Sequence, residues 1–162
     1  MKYEITKIFR FEAGHRVWKQ NLAEGKTAVL SGYACTDNKC RNLHGHSYIL
    51  EVTVGSDTLN DHQDVVVDFY HIKNALKDLV DNVFDHSFII DKNDPLYPIF
   101  KEHFKDLKIT EVDFCPTAEA MAKYFYDYLV QKLKEANLEE DIKVVQITLW
   151  ETATGKATYK GE

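Results

Sequence analysis

The chain has 162 residues, enough for one domain with its own core, and 44% of them are hydrophobic, an ordinary globular composition. A formal net charge of -6 excludes the broad basic surface that nucleic-acid binding needs, although an anionic small substrate requires only a few local cations. No run approaches roughly 18 consecutive apolar residues, so no membrane partner is expected; the start MKYEITKIFRFEAGH is unlike a signal peptide, and three cysteines without a secretory signal predict a cytoplasmic setting with reduced thiols.

Tyr3 to His15 alternate. Tyr3, Ile5, Phe9, Phe11 and Ala13 share one register, which predicts a half-buried strand with His15 at its far end. Val17 to Asn42 is mixed and punctuated by Gly25 and Gly32, and reads as a long loop. A second strand runs from His44 or His46 to Val54, with Tyr48, Leu50, Val52 and Val54 in one row and both histidines at the same parity. Asp68 is a candidate N-cap for an amphipathic helix over 69–83, carried by Ile72, Leu76, Leu79, Val80 and Val83. The segment 91–115, with Pro95 and Pro98, is expected to be irregular or weakly helical. A second helix opens at Pro116 and Thr117, with Met121, Phe125, Leu129 and Leu133 as its buried stripe. Val145, Ile147 and Leu149 predict a strand up to Trp150, and TATGK a hairpin into a last strand, KATYK. No internal repeat interrupts the chain. The expected fold is one α+β domain over residues 1–162: a four-stranded antiparallel sheet with two helices on one face, in the order ββααββ.

The stretch KCRNLHGHSY, residues 39–48, concentrates the chemistry. If the first two strands pair antiparallel, His15 at the end of one meets His44 and His46 at the start of the other. Neutral imidazole is a good zinc ligand, and three protein ligands with one open position is the catalytic zinc arrangement. Gly45 leaves room for close backbone approach. The alternative is that each histidine is a polar residue at a strand boundary. His62, His71 and His103 show no such convergence and read as surface residues.

Cys40 precedes His44 with three residues between them. Near a cation its thiolate is favoured, which makes it a usable base or nucleophile. Equally, it could be a fourth zinc ligand that closes a structural site, and Cys35 could take either role. Asp85-His86 follows the first helix, but adjacent residues do not ordinarily hydrogen-bond through their side chains; a histidine at a helix C-terminus explains the pair as well. Glu151 continues the row of Ile147 and Leu149. A carboxylate there needs a partner, either a cationic side chain or the amidine-like edge of a ligand, which it can grip with two hydrogen bonds.

Together FRFEAGH, CRNLHGHSY, VVVDFYHIK, FDHSFI, PTAEAMAKY and LWETATGKATYKGE resemble the 6-pyruvoyl-tetrahydropterin synthase family, in the family's order and over nearly the whole chain. The resemblance implies the tunnelling fold (T-fold), zinc on His15, His44 and His46, and Cys40 as catalytic thiol. It further implies Asp85 and His86 as a proton relay, Glu151 as pterin anchor and Thr117 in the pterin pocket. Homo-hexamers, as dimers of trimers with sites at subunit interfaces, are also implied. Animal family members tend to have five residues between the cysteine and the first histidine, and bacterial 6-carboxy-tetrahydropterin synthases of queuosine biosynthesis tend to have three. The CRNLH spacing therefore favours conversion of 7,8-dihydroneopterin triphosphate to 6-carboxy-tetrahydropterin, with release of acetaldehyde and triphosphate. A 6-pyruvoyl synthase, which eliminates triphosphate without cutting the side chain, is one alternative, and a non-catalytic zinc-stabilised module is another. No Gly-rich phosphate loop is visible, which leaves Arg16, Lys19 and Lys26 as candidate cations for the triphosphate. The long loop before Cys40, the extra Cys35 and the extended 91–115 segment depart from the compact bacterial pattern.

Overall fold

A computed structural model of the protein describes residues 1–19 and 39–161. Most of the long loop predicted before Cys40, with Lys26 and Cys35, lies outside the described residues. Two long strands, β1 (Tyr3–His15) and β2 (His44–Ser56), form the centre of the sheet as an antiparallel pair. Helix α1 (Phe69–Lys77) follows, then β3 (Ser87–Asp91), a short helix α2 (Tyr97–His103) and β4 (Ile109–Val112). Helix α3 (Ala118–Glu135) leads into β5 (Lys143–Trp150) and β6 (Lys156–Tyr159).

The sheet has six strands in the order β4-β3-β1-β2-β5-β6, not four. It is mixed rather than antiparallel: β3 pairs parallel with β1, and β4 parallel with β3. Of the extra strands, β4 comes from the segment expected to be irregular, and β3 from the FDHSFII stretch just before it. Both are short, and neither alternates over enough residues to announce a strand. Among the described residues the α-helices number three rather than two, and they do not share a face. Phe88 partners Gly14, on the face opposite Phe11 and Ala13, and it stacks on Phe100 of α2 at 4.9 Å. The short helix thus covers the second face at this edge, while α1 and α3 cover the first.

The main core lies between that first face and the two longer helices. Phe11, Tyr48, Leu50 and Val52 from the central strands meet Leu76 and Phe84 from the first helical segment and Met121, Phe125 and Leu129 from α3. Phe11 stacks on Tyr48 at 4.8 Å and meets Phe84 edge-on at 5.9 Å. Asp68 caps α1 through the Tyr70 N–H, as expected, and Thr117 caps α3 through the Ala120 N–H. The predicted row of β5 needs one correction. A bulge opposite Thr53 and Val54 makes Val145 the extra residue, so Val144 takes the buried position below Ile147 and Leu149. Among the described residues no helix is long and apolar enough to cross a membrane.

Candidate active site

Strand pairing brings the three predicted histidines together. His15 is the cross-strand partner of His44, and Ala13 that of His46, so the period of two places all three rings on the core face. Their centroids lie 4.5, 5.0 and 4.9 Å apart, and one ring nitrogen from each falls within 4.8 Å of the others. Between them, Gly14 partners Gly45. A Cβ on Gly45 would stand 2.8 Å from the Ala13 carbonyl oxygen, so the strands can approach this closely only because glycine lies there.

Two of the three outer nitrogens have backbone partners. His15 Nδ1 donates to the Pro116 carbonyl at 2.7 Å, and His44 Nδ1 donates to the Asn42 carbonyl at 2.7 Å. A carbonyl can only accept, so each of these two rings carries a proton on Nδ1, which leaves Nε2 as the atom that can face a metal. Such outer hydrogen bonds orient imidazoles in metal sites. His15 Nε2 and His46 Nε2 are buried and without a hydrogen-bond partner among the described residues. Burial, helped by the other two imidazoles, lowers the His15 pKa to about 4, and burial lowers that of His46 as well. His15 is therefore neutral near pH 7, as a ligand must be. Inward lone pairs without partners fit a divalent cation, and an all-nitrogen set suits zinc.

Glu151 reaches the same place from the end of β5. Its Oε1 lies 3.3 Å from His15 Nε2 and 3.7 Å from His46 Nε2. The Glu151 N–H donates to the Gly155 carbonyl, which ties the residue to its hairpin. Burial raises its pKa; His44 opposes the rise and Glu119, in the first turn of α3, adds to it. Thr117 sits one residue beyond Pro116, its hydroxyl oxygen already accepting the helix-capping bond. Tyr48, next along β2 on the same face, buries a hydroxyl with no partner among the described residues.

Asp85 and His86 do bond each other, contrary to the expectation from their adjacency: Asp85 Oδ2 accepts from His86 Nδ1 at 2.7 Å. The reason lies in the backbone. Residues Asp78–Phe84 continue α1 as an underwound helix, closed by Asp85 N–H donating to the Val80 carbonyl. His86 then adopts a left-handed φ of 53°, which folds its ring back onto Asp85. Glu12 clamps the pair from β1: its N–H donates to Asp85 Oδ1 at 2.8 Å and its carbonyl accepts from His86 N–H at 2.6 Å. The bond from Glu12, first, then the bond from His86 and the nearby charge of Lys108 hold Asp85 below the usual carboxylate range. None of the side-chain bonds of this pair reaches the triad. His86 instead lines a hollow of about 440 Å³ with Glu12, Gly14, Gly45 and Ser47, the residues that alternate with the triad, and with His44 and His46.

Cys40 lies in an exposed turn, Lys39–Arg41, whose Cys40 carbonyl accepts from Val17 N–H at 2.8 Å. Arg16 is committed to this framework. Its guanidinium grips Asp94 at 2.6 and 2.7 Å and donates to the Arg41 carbonyl at 3.2 Å. Lys19 lies over the Trp18 ring at 5.4 Å. The Arg16–Asp94 pair was not foreseeable, since nothing in the pattern around Asp94 distinguishes it from its acidic neighbours.

The sequence profile of the 6-pyruvoyl tetrahydropterin synthases matches residues 4–162. The chain belongs to that family. Relatives within it include the 6-carboxy-5,6,7,8-tetrahydropterin synthase of Aquifex aeolicus, 62% identical with both chains covered in full. The enzyme of that name from Haemophilus influenzae is 29% identical over 98% of this chain and 99% of its own. Among solved structures, an uncharacterized protein from Wolinella succinogenes superposes with a TM-score of 0.82 at 30% identity, covering 99% and 98% of the two chains. The Caenorhabditis elegans 6-pyruvoyl tetrahydropterin synthase gives 0.62 at 21% identity over 99% and 96%, a likeness of fold. The T-fold expected from the resemblance is thus the fold of the family, with six strands in this member.

Proposed function

We propose that this family member is a zinc-dependent 6-carboxy-5,6,7,8-tetrahydropterin synthase that converts 7,8-dihydroneopterin triphosphate and one water to 6-carboxy-tetrahydropterin, acetaldehyde and triphosphate. The observation that carries the reading is the convergence of three imidazoles, two with buried Nε2 atoms that have no hydrogen-bond partner among the described residues, beside one carboxylate. Full-length identity of 62% to a protein of that name supports the choice of branch, as does the three-residue interval between Cys40 and His44.

His15, His44 and His46 hold the zinc, which when bound supplies Lewis-acid polarisation of the substrate's side-chain oxygens. Glu151 accepts two hydrogen bonds from the amino and ring N–H edge of the pterin, and its charge opposes release. Thr117, at the start of α3, lines the same pocket. Cys40 as thiolate removes the proton from the substrate side chain. Asp85 accepts the hydrogen bond that His86 donates from Nδ1, which leaves Nε2 to accept or deliver a proton. Because Asp85 and His86 make no bond to the triad of their own chain, the reading has them serve the site of a neighbouring copy in a trimer-based hexamer. The open edges of β4 and β6 suit such joining of sheets.

Incubation of the zinc-loaded protein with 7,8-dihydroneopterin triphosphate tests this. Equimolar 6-carboxy-tetrahydropterin and acetaldehyde are expected. A 6-pyruvoyl product without acetaldehyde would move the protein to the sister branch.

A further inference from the structure

The contact between Glu151 and the histidines is chemically odd. His15 Nδ1 holds the ring proton for Pro116, so Nε2 presents a lone pair. Glu151 Oε1 stands 3.3 Å from it and 3.7 Å from His46 Nε2, yet neither nitrogen makes a hydrogen bond among the described residues. Two acceptors, His15 Nε2 and Glu151 Oε1, thus stand together in a largely buried place, which is repulsive unless a cation lies between them. The spacing is that of neighbouring ligands. Around a tetrahedral zinc with bonds of about 2.0–2.1 Å, adjacent ligand atoms are separated by about 3.3–3.4 Å.

We propose that Glu151 closes the metal site as its fourth ligand in the substrate-free protein, and that a pterin binds by drawing this carboxylate away. This rests on the reading of Glu151 as pterin anchor and extends it. One carboxylate would serve two partners in turn. The resting site, with three imidazoles and a carboxylate, is closed like a structural zinc site. The pterin edge offers Glu151 two donors in exchange for the metal, so the open position arises only when substrate is in place. The residue is suited to this: its side chain is still 29% exposed, and its hairpin is pinned through backbone bonds that leave the carboxylate to swing.

The test uses cobalt as a spectroscopic replacement for zinc, in the full-length protein, with 7,8-dihydroneopterin, which has no triphosphate to lose. The wild-type cobalt protein is expected to show a four-coordinate visible spectrum that changes on adding the pterin. In Glu151→Gln the pterin-free spectrum should already differ from wild type. Chelator competition should show its zinc affinity lowered at least as much as the 10–100-fold typical for losing an outer hydrogen-bond partner. Glu151→Asp, which keeps the charge but shortens the reach, should fall between. Identical pterin-free spectra and zinc affinities in wild type and Glu151→Gln would overturn the proposal. If that variant nevertheless lost pterin binding, the anchor reading would stand and only the capping would fall. A wild-type protein that takes up neither metal overturns both.

Discussion

His15 and His44 face each other directly across β1 and β2, with ring centroids 4.5 Å apart, and each is held by a bond from Nδ1 to a backbone carbonyl. The two carbonyls belong to different elements. Asn42 is in the turn leading into β2, and Pro116 is in the turn leading into α3. The orientation of these two rings is therefore set by the chain's backbone path at both carbonyls, not by side-chain packing alone.

Gly45 should be the most sensitive backbone position. Its added Cβ would meet the Ala13 carbonyl oxygen at 2.8 Å and the Gly14 Cα at 3.4 Å, backbone atoms that cannot rotate aside. Gly45→Ala should push β2 from β1 between His44 and His46. Metal titration is expected to show weakened zinc binding, with far-ultraviolet circular dichroism little changed. Unaltered zinc affinity would mean that the strands can part here without moving the rings.

Removing a ring is more direct. His44→Ala and His46→Ala should each leave two imidazoles and lose most of the zinc, one equivalent per chain in the wild type. Elemental analysis after dialysis reads the outcome. Full zinc in both variants would show that the triad does not hold the metal.

The triad was legible because strand parity is a simple rule: His15, His44 and His46 each continue an apolar row, and antiparallel pairing does the rest. Glu151 was legible for the same reason, one step beyond Leu149. What escaped was structure without a period. β3 and β4 are 5 and 4 residues long and pair in parallel, so no hairpin turn marks them. The bond between Asp85 and His86 depends on a left-handed φ at a histidine, which no residue pattern signals. The bulge at Val145 shifts a parity that the sequence alone would carry straight through.

The Arg16–Asp94 pair should matter for stability. The Asp94 side chain is only 1% exposed, and beyond Arg16 it accepts only the Leu96 N–H among the described residues. Arg16→Ala would strand a buried carboxylate, at a cost of about 3 kcal/mol. Arg16→Lys should recover only part of it, because an ammonium cannot reproduce the two-pronged grip. Urea unfolding measures both; a loss within experimental error in Arg16→Ala would reduce the pair to a surface contact.

Asp85 gives a signed pH effect. Its folded pKa lies below the ordinary carboxylate value, so folding favours the charged form. The stabilisation is complete above the unfolded pKa, about 3.9, and is lost as pH falls through the depressed folded value. Asp85→Asn should therefore be less stable than wild type near neutrality, and the difference should shrink in acid below about pH 4. A difference that stayed constant from neutrality into that acid range would place the effect in shape rather than charge.

Cys40 carries the sharpest prediction about the reaction. Its turn is anchored by Val17 N–H on its own carbonyl and by Arg16 on the next one, so the thiol's backbone is fixed relative to the start of β2. Its side chain is exposed and belongs to no core cluster. With Glu151 as the proposed fourth ligand beside the three imidazoles, a four-coordinate metal would need no sulfur. Cys40→Ala should accordingly keep the fold and the zinc and abolish turnover, because the proton acceptor is gone. Cys35, outside the described residues, is separated from His44 by a longer stretch and should tolerate alanine with little loss. Loss of zinc in Cys40→Ala would make the thiol a ligand instead. Full activity there, with none in Cys35→Ala, would transfer the role and show that three residues of separation from His44 do not by themselves select the base.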